Sequence, residues 1–242
     1  MNLLDKTIRN LVIANRILAH EGVVDAYGHV SVRHPQHPDR YLLSCSVSPE
    51  LVEASDIKEY ALDSVAIVKD GHHPYLERFI HGAIYEARPD IHAVIHSHAD
   101  EVLPFSITRE PLIPVIHVAS DIGAHIGVWD IHDHFGDTNL LVSDIAQGRD
   151  LACCLGHDRT VLMRGHGFTT TGQSLLGAIK AAVYMPRNAR ILMEAKRLGG
   201  PLTPLSPGEI EVRTGVDPES PQMQRAWEYW SRRAGVPPQS GS

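Results

Sequence analysis

Apolar positions recur at helical spacing over residues 3–20, where Leu4, Ile8, Leu11, Val12, Leu18 and Ala19 share a stripe with Asn15 and Gly22 follows as a C-cap. Short β-branched or apolar runs bounded by turn formers predict strands over 27–33, 41–44, 65–68, 91–98, 114–118 and 160–163. A helix is expected from Pro74, which suits a first turn, to Arg88, with Pro89 as the stop and Ile80, Ala83, Ile84 and Ala87 as its buried stripe. Further helices are expected from Asp100 or Glu101, over 144–155 before Gly156, over 174–198 with an interruption at Pro186, and over 222–234. The segment 121–129 is glycine-rich with no clear period, and 201–221 reads as a proline-rich loop. The pattern divides the chain into a main domain, residues 1–215, and a C-terminal helical arm, 216–242, whose last residues from Pro237 are expected to be disordered.

Composition narrows the classes. The 242 residues, 43% hydrophobic and 21% charged, are ordinary for a globular chain able to bury a sizeable core. A formal net charge of −7 argues against a nucleic-acid partner. No apolar run approaches a membrane span, and the N-terminus lacks the order of a signal peptide. Cys45, Cys153 and Cys154 give an odd count with no framework spacing, which suits reduced thiols in a cytoplasmic protein. Histidine stands out, at 16 residues.

That excess directs attention to His96-Ser97-His98. On a strand, residues i and i+2 project from one face, roughly 7 Å apart, within reach of one metal ion. On a helix the pair would splay about 200° apart. Sixteen histidines will also give such a pair by chance. Glu77, at the start of the preceding helix, and the glycine-flanked His166 complete a set of three imidazoles and a carboxylate, suited to Zn²⁺ or Mn²⁺. The glycines beside His166 would leave room for a ligand to approach. The same residues also read as a dipole-satisfying acid and a turn histidine.

The order and spacing of Gly28-His29-Val30-Ser31, Glu77-Arg78-Phe79, His96-Ser97-His98 and Arg164-Gly165-His166-Gly167 resemble the class II aldolase/adducin family over about residues 5–205. The resemblance implies a three-layer α/β/α fold around a central, mostly antiparallel sheet, and a ring-shaped homotetramer. It also implies a divalent metal held by His96, His98 and His166, with Glu77 as ligand or acid/base.

The departures from the family pattern bear on substrate. Its aldolases hold a phosphate with a Gly-Asn-x-Ser loop and a Thr-Pro-Ser/Thr-Gly loop; here His29 replaces the asparagine, and the second loop reads Leu43-Ser44-Cys45-Ser46-Val47. Valine brings a Cβ where glycine would allow an anion nest. These features, with the run Trp129–Asp137, resemble the family's decarboxylase branch, which acts on hydroxylated aromatic carboxylates such as hydroxypyridine dicarboxylates and dihydroxyphthalates. The reading is therefore a metal-dependent decarboxylase (a carbon–carbon lyase) of a hydroxylated aromatic or pyridine carboxylate. Glu77 would be proton donor or fourth ligand, with His29, Arg33, Ser44 and Arg78 anchoring a second carboxylate, and His117 and His125 as further candidates near the site. The alternatives are a metal-dependent aldolase on a non-phosphorylated carbonyl substrate, an iron(II) oxygenase, and a non-catalytic adducin-like interaction module.

Overall fold

The computed structural model describes residues 2–237, so most of the tail expected to be disordered lies outside the described residues. In chain order the elements are α1 (Leu3–His20), β1 (His29–Arg33), β2 (Arg40–Ser44), β3 (Ile57–Ala61), α2 (Arg78–Ala87), β4 (Ala93–Ser97) and α3 (Leu103–Ile107). They continue with β5 (Gly127–Trp129), α4 (His132–Phe135), α5 (Ile145–Leu155), β6 (Thr160–Met163), β7 (Gly167–Gly172), α6 (Leu175–Leu198), α7 (Pro207–Arg213) and α8 (Pro221–Arg233).

Among the described residues seven strands form one sheet in the order β3-β2-β1-β4-β7-β6-β5, antiparallel except for the β5–β6 pair. Alternation along the strands feeds two cores. Val30, Val32, Ala93 and Ile95 pack with α1, α6 and α8, while Tyr41, Val94, Val161 and Met163 pack with α2 and α5 on the opposite face. The result is a three-layer α/β/α sandwich around a mostly antiparallel sheet. Met223 and Trp230 of α8 are buried in the first of these cores, and α8 packs on α1.

Several elements differ from the sequence expectation. The run 65–68 is not a strand: Ala66 makes a single bridge to Tyr60, Ile67 N–H donates to Glu59, and Val65 and Val68 are exposed. The paired strand is Ile57–Ala61, which lacks a clear apolar alternation. Residues 114–118 do not join the sheet, because the Asn188 side chain bonds both Val115 N–H and Ile113 O at 2.8 Å, and a 3₁₀ turn begins at His117. Asn188 follows Pro186, and α6 runs through that proline without a break. The expected loop 201–221 contains α7, opened by the capping box Ser206–Glu209. A further strand, β7, follows His166 directly, so the histidine sits in a hairpin turn.

The helix expected from Pro74 begins only at Arg78. Pro74 is held extended by a bridge to Cys45, and the Tyr75 hydroxyl donates to Val47 O. Glu77 therefore occupies the N-cap position, its side chain making no capping bond. That displacement frees the carboxylate to turn inward.

Candidate metal centre

Glu77, His96, His98 and His166 meet on the α2 face of the sheet, each offering one ligand atom, all within 4.8 Å of one another. His96 is the fourth residue of β4 and His98 lies just past its end. The Nε2 atom of His98 is 2.9 Å from that of His96 and 3.0 Å from that of His166. Glu77 Oε2 stands 3.5 Å from Nε2 of both His96 and His166.

Proton counting tests whether this set suits a cation. His96 Nδ1 donates to Phe168 O at 3.1 Å, and His166 Nδ1 donates to Leu140 O at 2.9 Å. A carbonyl only accepts, so in the neutral rings the proton sits on Nδ1 and the Nε2 lone pair is bare. Both lone pairs face His98 Nε2, which can supply one proton at most, and a carboxylate oxygen supplies none. No neutral arrangement satisfies all four groups, whereas a divalent cation at their centre would. A tetrahedral site with metal–nitrogen bonds of about 2.05 Å has ligand–ligand edges of about 3.3 Å, close to the separations seen. The residues fit the metal.

Burial shapes the protonation of the cluster. Desolvation alone would raise the Glu77 carboxyl, but the facing His96 and His166 rings together outweigh it and hold the group well below the usual carboxylate range. Burial, then the neighbouring rings, pulls His98 down to about 3. His96 is lowered by burial in spite of Glu77. His166 moves upward: burial opposes protonation there, but the bond to Glu77 and its charge prevail.

The backbone fixes this geometry at two tight places. A Cβ on Gly167 would lie 2.1 Å from Ser97 O, so only glycine lets β7 pass against the end of β4 and bring His166 beside His98. The room at this glycine thus serves the Ser97 carbonyl and not an approaching ligand. Leu140 holds a left-handed φ of 65°, an unfavourable conformation for a γ-branched residue, and aims its carbonyl at His166. Two residues on, Val142 N–H donates to Glu77 Oε1 at 3.0 Å. These two contacts, and Tyr75, were invisible as site features in the sequence. The turn formers Asp137-Thr138-Asn139 mark the loop, but nothing in them marks its destination.

The remaining candidates divide. His29 stands opposite His96 in the β1–β4 register, its ring centroid 5.1 Å from that of His96 and 4.7 Å from that of Tyr75. Burial first, then His81 and His96, lowers His29 well below the ordinary imidazole value, and burial brings His81 to about 3. Ser44 is buried next to the Tyr75 hydroxyl. Arg33 is not available to a substrate: its guanidinium donates to the carbonyls of Ile91, Tyr85 and Arg88, each at 2.9 Å, and of Pro38 at 2.6 Å. Arg78 is likewise engaged, with Ser64 O and Tyr75 O, and its guanidinium lies over the Phe79 ring. His117 is exposed and opens a 3₁₀ turn, while the exposed His125 pairs with Asp158 at 2.6 Å. In the run 129–137, Trp129 and His134 both bond Asp150 and Asp130 pairs with Arg164, so these side chains brace the turn before His166.

Comparison with known proteins places this arrangement. The family described as Class II Aldolase and Adducin N-terminal domain matches residues 9–193, and the chain belongs to that family. It is 32% identical to the decarboxylase tropJ of Talaromyces stipitatus, across 93% of this chain and 92% of that protein. It is 25% identical to the 3,4-dihydroxyphthalate decarboxylase of Arthrobacter keyseri, across 90% of each. Among solved structures, an aldolase II superfamily protein from Pseudomonas syringae superposes with a TM-score of 0.78 at 21% identity, covering 97% of this chain and 94% of that one. The protein is a carbon–carbon lyase of this family, on its decarboxylase side. No helix among the described residues is long and apolar enough to cross a membrane.

Proposed function

We propose that the protein is a metal-dependent decarboxylase of a hydroxylated aromatic or pyridine carboxylate, with Zn²⁺, Mn²⁺ or Fe²⁺ held by His96, His98 and His166. The observation that carries the reading is the state of the loop 44–47. The amides of residues 45–47 donate inside the protein: Cys45 to Asp56 O at 2.8 Å, Ser46 to His73 O at 2.8 Å, and Val47 to Cys45 O at 2.7 Å. A nest for phosphate needs free N–H groups converging on the anion, and none of these three is free. The metal-ligating set stands beside it complete. The similarity to proteins named as decarboxylases, one of a dihydroxyphthalate, supports the same choice.

When bound, a divalent ion supplies Lewis-acid stabilisation of the negative charge that develops as the carbon–carbon bond breaks. The chain's own groups do the rest. His96 and His166 hold their Nε2 atoms forward because their Nδ1 atoms are tied to backbone carbonyls. Glu77 is anchored through Oε1 on Val142 N–H, which leaves Oε2 facing the site. Loss of CO₂ leaves an electron pair on the ring carbon, and that carbon must take a proton. Glu77 is ionised in the resting site, so a substrate carboxylate arriving beside it would first raise its pKa and let Oε2 take a proton from water, which it then passes to the ring carbon. The His29 ring, flanked by Tyr75, forms a flat buried wall next to the ligands and suits a planar substrate.

The test is a screen of the purified, metal-loaded protein against ortho-hydroxylated benzene and pyridine carboxylates, scored by CO₂ release, beside sugar phosphates scored by aldehyde release. Metal-dependent CO₂ release is expected. Efficient sugar-phosphate cleavage would make it an aldolase, oxygen consumption with Fe²⁺ an oxygenase, and failure to hold any metal would leave the adducin-like module.

A further inference from the structure

Behind His29 lies a run of buried polar groups that the reaction above does not use. His29 Nδ1 is 2.7 Å from His81 Nε2, His81 Nδ1 is 2.6 Å from Ser31 Oγ, and Ser31 Oγ is 2.9 Å from the Tyr85 hydroxyl. All four residues are at least 97% buried, with relative exposures of 3% for His29, 0% for His81, 0% for Ser31 and 1% for Tyr85. Each contact taken singly admits either direction. Taken together they favour one.

The count starts at Tyr85. Among the described residues Ser31 Oγ is the one acceptor beside its hydroxyl, the neighbouring Val94 amide being a donor, so the phenolic proton, buried away from water, goes there. Ser31, having accepted, gives its own proton to its second neighbour, His81 Nδ1. That nitrogen therefore carries no proton, and in a neutral ring Nε2 carries it instead. His81 Nε2–H then donates to His29 Nδ1, leaving His29 protonated on Nε2. Either direction leaves one donor over: the reverse strands the Tyr85 proton inside the packed core, whereas this one leaves it on His29 Nε2, beside the ligand cluster, where a substrate or water can take it. Nε2 of His29 has no protein partner among the described residues, and its ring lies directly across the sheet register from His96.

We propose that Tyr85, Ser31 and His81 form a one-directional hydrogen-bond chain that holds His29 as its Nε2–H tautomer and presents that N–H as a fixed donor to an anionic oxygen of the substrate. His81, Ser31 and Tyr85 are positioning residues; His29 alone touches the substrate. The ligand it selects is a planar acid with a carboxylate beyond the one that leaves. This last step rests on the decarboxylase reading, whereas the tautomer does not. The substitution of histidine for asparagine at position 29 then makes physical sense: an amide flips freely between donor and acceptor, and an imidazole wired from behind presents a donor only.

The experiment separates the two parts. In the zinc-loaded, diamagnetic protein with ¹⁵N-labelled histidine, long-range ¹H–¹⁵N spectra at neutral pH should show His29 protonated on Nε2 and bare on Nδ1. Ser31→Ala removes the group that sets the direction, and His29 should then populate both tautomers with zinc content unchanged. His29→Phe keeps a ring and removes the donor: its dissociation constant for 3-hydroxyphthalate should rise about 10-fold, and that for 2-hydroxybenzoate, which lacks the second carboxylate, should stay put. An Nδ1–H or doubly protonated His29 in the unsubstituted protein, or an unchanged tautomer in Ser31→Ala, overturns the chain. Equal losses for both acids, or no binding of either, overturn the substrate role while the tautomer stands or falls on the spectra.

Discussion

The two ends of α2 are both buried, both polar and both built against the same face of β1, yet they are opposite in kind. At the C-terminal end the carbonyls of Tyr85 and Arg88 meet the Arg33 guanidinium, which also takes Ile91 O and Pro38 O. Each of the four carbonyls has its donor, and the end is closed. At the N-terminal end Glu77 faces imidazoles whose lone pairs have no proton to share. His29 and Arg33, four residues apart on one strand, belong to different ends: one keeps a ring nitrogen free, and the other, buried, gives four of its five N–H groups to carbonyls. Residue type and burial do not separate an arginine already engaged by the fold from a histidine with a nitrogen to spare. The count of satisfied hydrogen bonds does.

Breaking the open end should abolish function and spare the fold. His98→Ala is expected to lose bound metal, measured by elemental analysis, and to lower turnover by at least about 10³-fold while the circular dichroism spectrum is retained. If His98→Ala keeps both metal and turnover, the open end is not a metal site. Glu77→Gln should be milder, retaining metal through three histidines and losing turnover by about 10²-fold or more, the usual scale for a general acid. Metal loss in that variant would assign Glu77 as an obligatory ligand. Near-normal turnover would move the proton-donor role elsewhere.

The closed end should respond the other way. Arg33→Met leaves four carbonyls without their donor and is expected to cost about 3 kcal/mol of unfolding free energy in a denaturant titration. The kcat/KM of its folded fraction should not change, which is the smallest effect on catalysis of the three. A catalytic defect without a stability loss would reopen the substrate role that its hydrogen bonds now exclude.

The open end was the more legible of the two in the sequence. His96 and His98 announce themselves by a two-residue spacing inside an apolar run, a periodicity that any strand imposes locally. Glu77 and His166 are legible only as members of an ordered set of motifs. The closed end was misread, since Arg33 beside His29 looks like an anion anchor until the C-terminal carbonyls of α2 are placed over it. Strand 57–61 and the false strand 65–68 show the same limit. Pairing partners, not β-propensity, decide which run enters the sheet.

What the sequence determined alone is what short-range geometry can carry: most of the helices by their apolar stripes and caps, the shared face of His96 and His98, and the identity of the family through motif order. The tertiary structure decided which groups are already satisfied. The Leu140 carbonyl reaches His166 and the Val142 amide reaches Glu77 across 26 and 65 residues of chain. The loop amides at 45–47 turn inward, and Tyr85 sets the direction of protons as far as His29. Hydrogen bonds of that kind join segments with no common period. Satisfaction is a property of the packed molecule, because each donor is exhausted by whatever folding happens to bring beside it.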